Sequence, residues 1–140
     1  MKLWIDTEFT DFKGALISMA LVDENGEYFY EVIEYPTPSA WVTEHVIPIL
    51  GQAPCSKEQF EHRLYKYLSK YKDLHIIADW PDDIKYFCEV IHTSPGECMN
   101  LPNPITFEII RRLEATSDLP HNALSDAMGI RAAYLKKDTI

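Results

Sequence analysis

Basic residues are scarce in this chain: 13 Lys and Arg stand against 22 Asp and Glu, a formal net charge of −9. Affinity for a phosphate backbone is built from Lys and Arg, so this balance argues against a passive nucleic-acid binder. It leaves room for an enzyme that reaches phosphates through divalent cations. Cysteine is scarce too. Cys55, Cys88 and Cys98 are odd in number and form no C-x-x-C pair, which fits a reducing cytoplasm better than a disulfide framework. No window approaches the roughly 18 apolar residues that a membrane span needs, so no membrane association is expected. Met1 and Lys2 lead straight into an apolar run, and no signal peptide is expected. Repeats, low-complexity tracts and linkers are missing as well. A length of 140 residues suits one domain, 1–140, able to bury a core without staples.

What is there is a change of pattern part-way along. Residues 2–8 predict a first strand, residues 14–22 (GALISMALV) a second, and residues 27–34 (EYFYEVIE) a third. Asn25-Gly26 favours a tight turn between the last two, so the three strands predict an antiparallel meander. Beyond Pro36 and Pro38, SAWVTEHVIPIL predicts a helix as far as Pro48. Ser56 and Gln59 form a capping-box signature ahead of Phe60, Leu64, Tyr67, Leu68 and Tyr71 at helical spacing. LHIIADW predicts a buried strand over 74–80, residues 83–92 a helix, residues 94–104 a Pro-rich loop, and residues 105–113 a short strand or helix. A last helix is expected over 121–136, with Ala123, Ala127, Ile130 and Tyr134 on one stripe. The whole predicts an α/β fold with a mixed central sheet flanked by helices.

Three stretches carry chemistry. WIDTEF puts Asp6 and Glu8 at the end of the first strand, where residues i and i+2 face the same way. Such a pair can share divalent cations, and hard oxygen ligands suit Mg²⁺ or Mn²⁺ better than zinc. The plain alternative is a solvated strand end. ADWPDDI follows the buried strand with Asp79, Asp82 and Asp83. Carboxylates at a helix start are often only caps favoured by the dipole; Asp79 or Asp82 is the better cap, and Asp83 the better placed to point at the sheet. HNALSD sets His121 and Asp126 five residues apart. On one continuous helix that spacing turns about 140°, so they converge if His121 sits in the loop or first turn while Asp126 lies within the helix. Ala123 and Ala127 would let that helix lie close to the sheet. The plain alternative is a surface Asp and a helix-start His.

Taken together, D-x-E, the mid-chain Asp and H-x-x-x-x-D resemble the DEDDh family of 3′-to-5′ exonucleases, the proofreading-subunit and ribonuclease T superfamily. WIDTEFT, LISMALV, W-V-T-E-H-V-I-P and ADWPDDI look most like its compact bacterial exoribonuclease branch, first described from mycobacteria. The resemblance implies a ribonuclease H-like sheet, a cytoplasmic enzyme, and two Mg²⁺ or Mn²⁺ ions held by Asp6, Glu8, Asp83 and Asp126. It implies that His121 is the general base, histidine being the side chain suited to take a proton near neutrality. It further implies single-stranded or 3′-overhanging nucleic acid as substrate, RNA in preference to DNA, and is compatible with a homodimer. Many members carry a Gly-containing loop after D-x-E, whereas this chain has Phe9, Thr10, Asp11 and Phe12. Phe9, Thr10 and Phe12 are candidates to abut the terminal nucleotide, with core or loop packing as the alternative. Trp41 and His45 are candidates to line the same cleft, although a Trp on a helix more often packs in the core. Arg111, Arg112, Arg131, Lys136 and Lys137 are the local basic clusters available to a phosphate backbone. A catalytically silent nucleic-acid or protein-interaction module on the same fold is the competing reading.

Overall fold

The computed structural model describes residues 1–137. Strand β1 (Lys2–Phe9) alternates as a centrally placed strand should: Leu3 and Ile5 pack to one side of the sheet and Trp4 to the other. β2 (Leu16–Asp23) and β3 (Tyr28–Val32) follow as antiparallel neighbours, with Leu3 opposite Asp23 and Val22 opposite Tyr28. The 23–26 turn closes through the Gly26 N–H on the Asp23 carbonyl, and Gly26 takes the positive φ of 85° that such a turn asks for. β4 (Leu74–Ala78) and β5 (Ile105–Ile109) complete the sheet in parallel with β1. The order is β3-β2-β1-β4-β5, a mixed five-stranded sheet.

Helices cover both faces. α2 (Lys57–Ser69) and α3 (Pro81–Ile91) bury Phe60, Leu64, Leu68, Phe87 and Ile91 against Leu3, Ile5, Met19, Leu21 and Ile76. On the opposite face α4 (Ala123–Lys137) lays Ala123 and Ala127 on Ala20 and Val22, and Ile130 and Tyr134 on Trp4 and Ile77. The short α1 (Ala40–His45) closes the end of that face, where Val42 and Val46 meet Ile17 and Val32. Among the described residues no helix is long and apolar enough to cross a membrane.

Several local expectations change. The helix predicted through Pro48 stops at His45, and Ile47–Ile49 turns as a separate 3₁₀ segment with Pro48 early in it, where the missing N–H costs nothing. The third strand is shorter than 27–34, although Ile33 still bridges to Cys55. Residues 105–109 are a strand: Ile76 pairs with Phe107 and Ile77 with Glu108. Neither Asp79 nor Asp82 caps α3. Trp80 occupies the N-cap without a side-chain bond, and the Asp82 carboxylate instead accepts from the Trp80 indole N–H at 3.1 Å. Pro81 at the first helical position has no N–H to cap, which lowers the demand. The Ser56–Gln59 capping box forms as read, each side chain bonding the other residue's backbone N–H.

Candidate metal centre

Parallel pairing brings the acids together. Lys2 lies opposite His75 and Trp4 opposite Ile77; two places further, the same register sets Asp6 beside Asp79, just past the end of β4. Side chains alternate along both strands, so Asp6 follows Trp4, and Asp79 follows Ile77, onto the face covered by α4. α4 delivers Asp126 from its first turn. The register of β1 against β2 slips between Glu8 and Phe9, with Ile17 of β2 left without a partner in β1 beside the acids, a place where bulges are common next to functional sites.

Asp83 arrives from the other side. It lies in the first turn of α3 and is only 3% exposed. Thr7, between Asp6 and Glu8, faces α3: its hydroxyl donates to Asp83 Oδ1 at 2.6 Å and its backbone N–H to the same oxygen at 3.1 Å. Asp83 Oδ2 and Asp6 Oδ2 are closed off from solvent with no hydrogen-bond partner among the described residues. Two ligand groups result, each with its oxygens within 4.8 Å of one another: Asp6, Glu8 and Asp126, and Asp6, Asp79 and Asp83. Orphaned carboxylate oxygens in so small a volume fit hard divalent cations, and Asp6, Glu8, Asp83 and Asp126 are the residues that would hold them.

The electrostatics say how crowded the acids are. Burial first, then Asp83, Glu8, Asp126 and Asp79, holds Asp6 well above the usual carboxylate range. Glu8 is pushed up to about 9 by burial and then by Asp126 and Asp83. Burial also lifts Asp83 to about 7, with the Thr7 hydroxyl pulling the other way. Asp79 and Asp126 are raised by the same cause, Asp126 less freely because Ser117 and the His121 N–H favour its charged form.

His121 precedes α4 in a turn, at a left-handed φ of 73°. There its backbone N–H donates to Asp126 Oδ2 at 3.2 Å, so histidine and aspartate meet as the five-residue spacing requires. Its ring meets Trp41 edge-on at 5.1 Å, and Trp41 stacks on His45 at 4.4 Å. The expectation that Trp41 belongs to the core is corrected: it is 52% exposed on the rim. α1 is too short to hide both its faces, and Val42 is its buried contact.

A cavity of about 370 Å³ next to Glu8 is lined by Phe9, Asp11, Phe12, Ser39, Trp41, Val42 and Val46. Phe12 is exposed there, while Phe9 also stacks on Tyr86 at 5.0 Å. Thr10 is not brought to the cleft. It is buried, and its hydroxyl accepts the Ala15 N–H at 2.9 Å to close the β1–β2 connection. Of the basic residues, Arg131 is committed to the Asp23 and Glu24 carbonyls. Arg111 lies by the acids, over the Trp80 ring at 3.9 Å and donating to the Asp79 carbonyl. A smaller cavity of about 150 Å³ runs between Asp6, Asp79 and Asp126 and the 115–117 loop. Thr7 was passed over in the sequence, although two-residue periodicity already puts it on the face opposite its acidic neighbours. No family model and no curated protein matches the chain.

Proposed function

We propose that the chain is a metal-dependent 3′-to-5′ exonuclease, hydrolysing phosphodiester bonds from the 3′ end of single-stranded or 3′-overhanging nucleic acid, RNA in preference to DNA. The observation that carries the proposal is the meeting of Asp6, Glu8, Asp83 and Asp126 at one end of the sheet, with two buried carboxylate oxygens left without a partner. The five-stranded mixed sheet with its first three strands antiparallel agrees with a ribonuclease H-like arrangement. The preference for RNA rests on the family resemblance alone.

Two divalent cations, when bound, would supply Lewis acidity to the attacking water and to the phosphoryl and leaving oxygens. The chain's own contribution is positional. Thr7 holds Asp83 by one oxygen and leaves the other directed to the site. The imidazole of His121 would take the proton from the attacking water, while its backbone N–H fixes Asp126. The terminal nucleotide occupies the cavity beside Glu8, its base against the exposed rings of Phe12 and Trp41. Arg111, spread on Trp80, neutralises an approaching phosphate.

The test uses 5′-labelled RNA and DNA oligonucleotides, single-stranded and 3′-overhanging, with wild type and Asp6→Ala in Mg²⁺, Mn²⁺ or EDTA. A ladder shortening from the 3′ end, lost in EDTA and in the variant, is the expected result, and it identifies the sugar. Intact substrate in every lane despite Mn²⁺ binding would overturn the enzyme and leave a silent module.

A further inference from the structure

We infer that Asp79 is a fifth carboxylate ligand, completing with Asp6 and Asp83 a second cation site that fills without nucleic acid. The inference rests on the two-metal reading above and deepens it. Four acids alone divide unevenly. Asp6, Glu8 and Asp126 surround one position with three side chains, and a second cation beside it would meet only Asp6 and Asp83, relying on phosphate oxygens for the rest. Asp79 removes that asymmetry, because its oxygen lies within 4.8 Å of those of both Asp6 and Asp83.

The unpaired oxygens are an independent sign that a ligand belongs there. The two residues that carry an orphaned carboxylate oxygen, Asp6 and Asp83, are the two that Asp79 joins, and Asp83 belongs to no other group. Asp83 is almost wholly buried, and its other oxygen is taken twice by Thr7. A buried carboxylate oxygen without a donor calls for a proton, a water or a cation, and three carboxylates converging on one point favour the cation. The Asp79 carboxylate is in no ion pair among the described residues: Arg111 binds the backbone carbonyl, and its charge, with the residue's own backbone N–H, only favours the ionised form that a cation needs. An all-oxygen set of three carboxylates suits Mg²⁺ or Mn²⁺.

The metal-free full-length chain, without nucleic acid, is titrated with Mn²⁺ while the signal of free Mn²⁺ is followed by electron paramagnetic resonance. Wild type is expected to bind two ions. Asp79→Asn is expected to lose one of them, or to bind it roughly tenfold or more weakly, with the other unaffected; Asp126→Asn is expected to weaken the other instead. Thermal melting in EDTA controls for folding: Asp79→Asn, relieved of a like charge, should melt no lower than wild type yet gain less from Mn²⁺. Two ions bound equally well by Asp79→Asn, or one ion in wild type, overturns the inference and leaves the four-acid site standing. No binding by wild type overturns both.

Discussion

His121 occupies a backbone conformation that suits glycine better than an imidazole. Its φ of 73° lies in the left-handed region, where a β-carbon is crowded, and neither of its neighbours shares it. Such strain persists where the surroundings require it and often marks a working residue. Here the turn aims the backbone N–H at Asp126 and the ring at the rim formed by Trp41. The conformation also makes a clean experiment possible. His121→Gly removes the imidazole, keeps the N–H and relieves the backbone, so denaturant unfolding should show stability unchanged or slightly raised. If His121 is the general base, exonuclease turnover should fall by about 10²–10⁴-fold, with Mn²⁺ binding intact. Loss of Mn²⁺ binding together with activity would instead make His121 part of the carboxylate scaffold.

Among the elements, α4 brings Asp126 to the acids that β1 carries, and its placement depends on small residues at two contacts. Ala123 and Ala127 bring it down onto Ala20 and Val22. Gly129 brings it against the 115–117 loop, where a methyl group would overlap the Thr116 carbonyl oxygen. A backbone oxygen cannot swing aside as a side chain can. Gly129→Ala should therefore cost about 1–3 kcal/mol in urea unfolding, the usual range for overpacking. It should also weaken Mn²⁺ binding, because Thr116 and Ser117 line the cavity beside Asp126. An unchanged midpoint would mean that the loop shifts freely and does not brace the helix. The stripe of α4 was legible from the sequence through the spacing of Ala123, Ala127, Ile130 and Tyr134, although Met128 and Leu135 put apolar side chains outside it. The acids of β1 were not singled out by their strand, where a solvated end is the plain alternative, but by the likeness they form together with ADWPDDI and HNALSD. β5 was not legible. It is an edge strand of five residues with only partial burial, so its pairing with β4 comes from tertiary context. Thr10 and Trp41 depart from expectation for separate reasons: Thr10 folds its hydroxyl back onto the Ala15 N–H five residues on, and Trp41 lies on a rim completed by His121, remote in sequence.

For the molecule as a whole, the site opposes folding whenever it is metal-free and charged. Glu8 titrates at about 9 in the folded chain against an ordinary 4.5, and Asp83 at about 7 against 3.8; Asp6 is raised as well. Between those values the folded chain holds protons that the unfolded chain has released, so stability must fall as pH rises. In EDTA the melting temperature should accordingly decline from about pH 5 to about pH 7, a window inside both shifts, and less steeply on toward pH 9 through Glu8. A general repulsion within a chain of net charge −9 would act in the same direction, and Asp6→Asn separates the two. Removing one charge from 22 acids barely alters the general term, but it takes away the centre that both ligand groups share. The variant should melt higher than wild type near pH 8 and show a flatter decline. Saturating Mn²⁺ should abolish the decline in wild type, since bound cations hold the carboxylates deprotonated in the folded state and stabilise only that state. Melting temperatures that rise with pH in EDTA would contradict the crowding of these acids. A decline that Asp6→Asn leaves untouched would assign the effect to net charge, and the stability of the metal-free chain would then say nothing about its site.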